Sequence, residues 1–513
     1  MTTTACERTV AAQAPDSSLA NADLAPTPAA ERTWNWWHFA TLWMGMVHNI
    51  FNFTWVGGLV ALGMSVWQAL TVALVGNVVQ TVVIGLNGRI GARFGIPFAV
   101  WARSAFGTFG ANIVALVRAV VAIGWFGIQS YLAATAVNLL LEGVVPGWRG
   151  LGHSGWLGLS TSMWITMIAY WACNFLIVRH GMEAVRRFEV WAGPLVFVVM
   201  AVLLVWAVSH AGGTGTLLTA PAQHSDHWFW TVAFGPAVAT YIAGSWSTAV
   251  LNIPDLTRFA RSNRGQFWGT MIGLPLSSLV YFGMAAVIVS TGKELYGTTY
   301  WNPTDVLGAF GNPVLSAFGA LLLAIATISV NIPANVISSA YDLTNLLPKA
   351  LTFRRGAYVS IVAGFVYMPW KLMENSETLF SMLHYLGAVL GPVTGILLAD
   401  FFVLRRCRLD VPDLYRRTGR YRGWAGFNPL GLGALGLSLA LLFGSQTVPA
   451  FDWVYQYAWF SGVTLGFLLH CAAKLAVRRS AGPLAASLAA TGTTGAEAAD
   501  LPAAGTTGEA APA

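Results

Sequence analysis

Runs of about 20 apolar residues recur along most of this chain, and that is the length a helix needs to cross a bilayer. Twelve fall at 39–63, 66–87, 109–141, 159–178, 190–210, 228–251, 267–290, 312–340, 356–372, 379–404, 429–446 and 453–475. Hydrocarbon offers no water to backbone N–H and C=O groups, so such segments fold as helices whose bonds are internal. Charge agrees with this reading. Only 10% of the 513 residues are charged, against roughly 25% in soluble domains, too few to cover a water-facing surface. The expected fold is an all-α polytopic membrane protein with twelve transmembrane helices. The third and eighth runs are long, which points to tilt or to extension past the bilayer. The ninth is the least distinct.

The formal net charge is +7. Nucleic-acid binding would need those charges on one continuous face; instead they follow the loops. Numbered alternately from an inside N-terminus, the inside loops hold Arg89, Arg93 and Arg103; Arg179, Arg186 and Arg187; Arg258, Arg261 and Arg264; Lys349, Arg354 and Arg355. The loop after the tenth run holds Arg405, Arg406, Arg408, Arg416, Arg417, Arg420 and Arg422, and Lys474, Arg478 and Arg479 follow the last run. The outside loops hold only Arg149, Lys293 and Lys371. This positive-inside bias supports twelve spans in a plasma (inner) membrane with both termini cytoplasmic.

Residues 1–32, rich in Ala, Thr, Pro and Asp, read as a disordered cytoplasmic tail. Trp34, Trp36 and Trp37 then cluster before the first span, as an interfacial anchor does. One transporter-sized membrane domain covers 33–478, and the Ala, Gly and Thr of 479–513 read as a second flexible tail. No cleavable signal peptide is expected, because no early apolar core with a cleavage site is present. Cys6, Cys173, Cys407 and Cys471 lie far apart, so neither a zinc site nor a disulfide framework is indicated.

Polar side chains inside spans usually face a partner helix or a cavity, and four clusters stand out. His48, Asn49 and Asn52 sit in the first run, followed by Gly57 and Gly58, a composition that invites local unwinding; interhelical hydrogen bonding is the alternative. Trp125 and Gln129 are four apart and share a helix face. An indole beside an amide suits a planar ring edged with N–H and C=O groups, though an interface Trp and a bonded Gln fit as well. Gly244, Ser245, Trp246, Ser247 and Thr248 weaken the sixth run around an aromatic. Asn252, Pro254 and Asp255 end that span, where Asp255 with Arg258 reads as structural. Thr327, Ser329, Asn331 and Asn335 crowd around Pro333 in the eighth run, where freed oxygens could coordinate a small cation or simply bond their own backbone. Paired interruptions in the first and sixth runs, five runs apart, point to a five-plus-five inverted repeat with broken helices 1 and 6 and two extra C-terminal helices.

"GWFGIQ" (124–129), "GSWSTAVLNIPDLTRFA" (244–260), "NIPAN" (331–335), "LGPVTGILLADFFVLRR" (390–406) and "DLYRRTGRYRGWAGFN" (413–428) resemble the nucleobase:cation symporter family 1 of hydantoin, allantoin, uracil and cytosine permeases. The likeness runs from about 33 to about 475. It implies the same inverted repeat and a flat substrate held between Trp125 and Trp246. Gln129, Asn335 and Asn49 would bond the ring edge, with Ser245 beside them. In sodium-coupled members the cation lies between the first and eighth helices. The matching positions here are Gly45, His48, Ala326 and Ser329, but Val330 stands where a second hydroxyl would be. The coupling ion implied is therefore Na+ or H+, with His48 as a titratable candidate and Asp255 as a weaker one.

These readings point to a secondary active importer of a small planar N-heterocycle or ureide such as allantoin, hydantoin or uracil, working as a monomer in the bilayer without organic cofactor or nucleic acid. A passive channel or facilitator is the alternative. Its lining would be continuously polar, whereas the polar residues here cluster at mid-depth. A membrane enzyme is disfavoured: no HExxH, acidic metal cluster or nucleophile motif is present.

Overall fold

In a computed structural model of the chain, described over residues 16–153, 155–210, 221–296, 303–309, 313–373 and 376–490, the apolar runs are helical and no β-strand forms among the described residues. The order is α1 (Trp36–Val47), α2 (Ile50–Ala61), α3 (Val66–Phe94), α4 (Phe98–Phe106), α5 (Gly110–Val144), α6 (Thr161–Arg179) and α7 (Met182–His210). Then come α8 (Phe234–Ser245), α9 (Ser247–Thr257), α10 (Asn263–Tyr296), α11 (Pro313–Asn331), α12 (Ile337–Leu346), α13 (Phe353–Ala363), α14 (Ser376–Leu398), α15 (Pro429–Ser445) and α16 (Ala458–Ala490). Among the described residues, eight helices are long and apolar enough to cross a membrane, or nine if the bent pair Pro429–Ser445 and Pro449–Gln456 is one span.

The first, sixth and ninth expected runs are missing from that set for physical reasons. The first is split into α1 and α2, because His48 (φ −80°, ψ 69°) and Asn49 (φ −130°, ψ 161°) leave the helical region. The sixth is split into α8 and α9 at Trp246 (φ −126°, ψ 9°). The ninth gives the short α13 and then a 3-10 turn, Gly364–Tyr367. The first break thus falls within the stretch expected to unwind, at its polar residues, while Gly57 and Gly58 of that stretch lie inside α2.

The helices pack as two groups. In one, α10 lies against both α1 and α3, and α3 lies against α9. In the other, α5 packs on α11, α12 and α6, and α13 joins α12 and α6. Helix α7 touches α1, α10 and α11, so it bridges the groups. Of the apolar window of α5, 72% is buried, against 17% for that of α16. Helix α5 is thus an internal post and α16 a peripheral helix, paired with α14.

Amides on α3 support the second break. A helix end leaves its last carbonyls without donors; Gln80 Nε2 donates to Ile242 O at 2.7 Å, and Asn77 Nδ2 to the Tyr241 hydroxyl at 2.8 Å.

Ordered structure begins before residue 33. The described part of the expected N-terminal tail packs across one end of the bundle, because its backbone meets buried donors and acceptors there. Arg258 donates to Asp23 O at 2.9 Å, to Ala25 O, and to Thr27 Oγ1 at 2.7 Å. Tyr415 donates to Leu24 O at 2.7 Å, and burial pushes its hydroxyl up to about 12. Asn21 Nδ2 reaches Pro348 O and Leu351 O. Trp34 is buried against Phe39 and Phe259, so only Trp36 and Trp37 of the expected anchor are exposed. Arg103, read from sequence as a loop cation, is buried on α4 and donates to Asn345 Oδ1 at 2.6 Å and Leu414 O at 3.0 Å. At the other end, α16 runs to Ala490, past the expected boundary at 478. Residues 1–15 and 491–513 of the two expected tails lie outside the described residues.

Candidate functional site

One small cavity lies where the two helix groups meet. The break between α1 and α2 brings Asn49, Phe51 and Asn52 to it, and α5 brings Trp125 and Gln129. The second break brings Ser245, Trp246 and Thr248, while Val330, Ala334 and Asn335 come from the end of α11 and the π-helical turn Ile332–Val336. All six residues expected to bind substrate therefore line one cavity. Asn52 and Thr248, named in the polar clusters but not assigned to substrate, line it too; Phe51, Val330 and Ala334 were not foreseen as lining, and no pattern within one helix marks them, since the neighbouring group decides which face is enclosed.

Each indole is braced by another ring. Phe51 meets Trp125 edge-on (centroids 4.7 Å apart, planes at 81°), and Trp43 meets Trp246 edge-on (5.4 Å, 84°). The Trp43 Nε1–H in turn donates to Thr270 Oγ1 at 3.1 Å. Gln129 is buried, and its Oε1 has no hydrogen-bond partner among the described residues. Since an unpaired buried acceptor costs about 1–3 kcal/mol, Gln129 stands ready for a donor from outside the protein.

The other amides are engaged. Asn49 Oδ1 accepts from the Asn52 N–H at 2.9 Å, which caps α2, and its Nδ2 donates to Met46 O at 2.7 Å. Asn52 Nδ2 donates to Val47 O at 2.9 Å, and His48 Nδ1 bonds Met44 O. Together these side chains serve the carbonyls that α1 loses at its end, so the polarity of this cluster builds the break. Asn335 Nδ2 donates to Asn331 Oδ1 at 2.7 Å, and Asn331 Nδ2 reaches Phe126 O and the Tyr170 hydroxyl, each at 3.3 Å. Asn252 Nδ2 donates to Ala334 O at 2.8 Å, a carbonyl in the π turn.

The cavity gives about 20 Å³ to the centre of a water-sized sphere, room for about one water. A flat ring enters only if the groups separate. A wider cleft of about 520 Å³ near Glu142, Trp148 and Arg149 holds none of these residues.

Of the residues expected to hold a cation, the structure brings Gly45 and Ser329 into contact: a methyl added to Gly45 would fall on Ser329 Oγ. Ala326 is buried on α11. The His48 ring lies between Phe197 (5.1 Å) and Tyr281 (4.6 Å). Sequence reasoning missed Glu189 of α7, which stands just before the fifth apolar run; its Oε2 accepts a hydrogen bond from Ser329 Oγ. It also paired Asp255 with Arg258. The partner is Arg118, whose Nη2 lies 3.0 Å from Asp255 Oδ2 and whose Nε lies 2.7 Å from Asp342 Oδ2, all buried. Arg118 and Asp255 are 137 residues apart, so spacing could not reveal the pair.

A family model described as permease for cytosine/purines, uracil, thiamine and allantoin matches residues 26–462. An allantoin permease of Bacillus subtilis is 40% identical over 462 residues, covering 89% of this chain and 94% of the relative. A purine-uracil permease of Arabidopsis thaliana is 34% identical, covering 82% of this chain and 70% of the relative. In fold, the chain is similar to Mhp1, a nucleobase-cation-symport-1 family transporter solved in a closed conformation with bromovinylhydantoin bound: TM-score 0.75, 24% identity, 90% of this chain and 96% of that one.

Proposed function

This chain belongs to the permease family for cytosine/purines, uracil, thiamine and allantoin, and we propose that it imports a small planar N-heterocycle or ureide together with a cation. It is a multi-pass membrane transporter rather than an enzyme. The observation that carries the substrate class is the small cavity in which two braced indoles, Trp125 and Trp246, accompany the unpaired Gln129 Oε1. Indoles cover the faces of a ring, and the Gln129 carbonyl accepts from an N–H on its edge. Asn335 and Ser245 supply further polar contacts. Asn49 lines the cavity while it holds the α1–α2 break. Allantoin leads the candidates, after the relative that is 40% identical; hydantoin and uracil follow.

The finer architecture belongs to the same reading: twelve crossings in a five-plus-five inverted repeat, with α1–α2 and α8–α9 as broken helices 1 and 6, and α15 and α16 outside the repeat. Cytoplasmic termini follow from the basic loops. Alternating access comes from the α1, α3, α9 and α10 group rocking against the α5, α6, α11 and α12 group. The cation, Na+ or H+, binds near Gly45, His48, Ala326 and Ser329.

Uptake of radiolabelled allantoin, hydantoin and uracil into proteoliposomes, under separate sodium and proton gradients, tests this. Accumulation of one compound above equilibrium, lost in Trp125→Ala, is expected. Equilibration without accumulation under either gradient makes the protein a facilitator.

A further inference from the structure

We propose that a cleft between the end of α14 and α16, on the end of the bundle where the N-terminal segment packs, is a binding site for the phosphate of an anionic phospholipid. The inference is independent of the transported substrate and of the coupling ion.

The cleft gives about 250 Å³ to the centre of a water-sized sphere, against about 20 Å³ in the central cavity, so a phosphate group fits. Four cationic side chains line it, Arg405, Arg408, Arg420 and Lys474, against one carboxylate, Asp400. That carboxylate is engaged within the protein. Its Oδ2 accepts from Arg405 Nε at 2.5 Å and from Ser104 Oγ at 3.1 Å, and its Oδ1 faces His470 Nε2 at 3.5 Å. Arg420 is matched from outside the cleft by Asp413 at 3.3 Å and Asp410 at 3.6 Å. Arg408 is exposed and forms no ion pair among the described residues. The cleft therefore keeps a surplus of positive charge that an anion neutralises.

The backbone aims these groups. The π turn Ala399–Leu404 ends α14, and Arg406 and Cys407 follow at φ 50° and 59°, a region that side chains other than glycine rarely adopt. The Cys407 N–H donates to Phe401 O at 2.8 Å, and Arg93 Nη1 donates to Cys407 O at 3.1 Å, so the reversal is held at both its donor and its acceptor. It returns Arg408 to the cleft that Arg405 lines. The Arg405 guanidinium lies over the Tyr421 ring at 4.8 Å and donates through Nη2 to Ser104 O at 2.7 Å. With Nε on Asp400, its Nη1 remains to donate. Planar guanidinium N–H groups match phosphate oxygens well.

Depth selects a lipid as the source of the phosphate. Leu404, which lines the cleft, closes the apolar window Tyr385–Leu404, and Lys474 lies near the end of Ala458–Val477. The cleft thus stands where hydrocarbon gives way to headgroups. Only 17% of the α16 window is buried, so acyl chains can lie along α16 while the headgroup enters from the side. Basic pockets between spans at this depth suit anionic headgroups.

The experiment titrates the full chain in neutral detergent with phosphatidylglycerol or phosphatidylcholine and counts bound lipid by native mass spectrometry. Wild-type protein is expected to hold a single phosphatidylglycerol, roughly tenfold or more tighter than phosphatidylcholine. Arg408→Gln with Lys474→Gln should abolish that preference. Arg408→Gln alone, at an exposed position where folding is not at stake, should reduce it. Arg354→Gln with Arg355→Gln removes equal charge from exposed positions at the same end of the bundle and should leave it intact. Equal wild-type affinity for the two lipids overturns the inference. So does a preference that survives in the Arg408 and Lys474 variant, or one that falls equally in the Arg354 and Arg355 variant, since diffuse attraction to a basic surface then accounts for it. Inorganic phosphate that displaces phosphatidylglycerol at equal concentration assigns the cleft to a soluble anion and overturns the lipid.

Discussion

Arg118 on α5 donates through both terminal nitrogens to one carboxylate oxygen of Asp255 on α9, at 3.0 Å each. It thereby ties one helix group to the other. The same guanidinium donates to Asp342 and lies over the Phe98 ring at 4.1 Å, and Asp255 accepts the Phe98 N–H at 2.7 Å. Removing the cation leaves two buried carboxylates without it. Arg118→Met should destabilise the protein by about 3–5 kcal/mol, read as a large fall in Tm in detergent. Asp255→Asn should cost less, because Asp342 still holds Arg118.

The cavity residues separate by what they lose. Gln129 has an unpaired carbonyl and Trp125 lines the cavity, so truncating either should weaken substrate, while only Trp125, packed on Phe51, also supports the fold. Trp125→Ala and Gln129→Ala should each raise the substrate Kd by roughly 5- to 150-fold, equivalent to about 1–3 kcal/mol, with Tm near that of wild type for Gln129→Ala and lowered for Trp125→Ala, which empties a buried site. Equilibrium binding and thermal unfolding on the same samples check this.

Asn49 should behave differently. Its side chain caps α2 and bonds Met46 O. Asn49→Ala should lower stability by about 1 kcal/mol, as loss of an N-cap does, and weaken binding as well. A normal Tm with weakened binding would assign Asn49 to the substrate instead of to the break.

The N-terminal segment spans both helix groups. Thr27 N–H bonds Gly95 O after α3, and Asp23 Oδ2 accepts the Phe353 N–H at the start of α13. Deleting residues 1–32 also removes the acceptors of the buried Arg258 side chain. The deletion should favour the state open at this end. A cysteine placed at Ala260, which is buried, should react with a soluble thiol reagent several-fold faster than in the full chain.

Much of the candidate site was legible before the fold was known. Trp125 and Gln129, four apart, share a helix face at any depth, and both reach the cavity. The break at Trp246 falls within the weak stretch read from Gly244 to Thr248. The first break falls at the polar end of the stretch read as prone to unwinding: the chain breaks at His48 and Asn49, where three side chains satisfy the carbonyls that the helix abandons, and Gly57 and Gly58 stay inside α2. Glycine alone does not open a helix: Gly58 stays inside α2 although it faces open space.

The sequence by itself determined that the chain is a set of apolar helices, where two of them weaken, and which aromatic and amide side chains share a face. Those properties depend on residues within a few turns of one another. Tertiary structure alone decided that Glu189 meets Ser329 across 140 residues, that Arg118 rather than Arg258 holds Asp255, and that residues 16–32 bind the end of the bundle. Such partners depend on the rotation and depth at which packed helices settle, and the period of an apolar run carries no record of either.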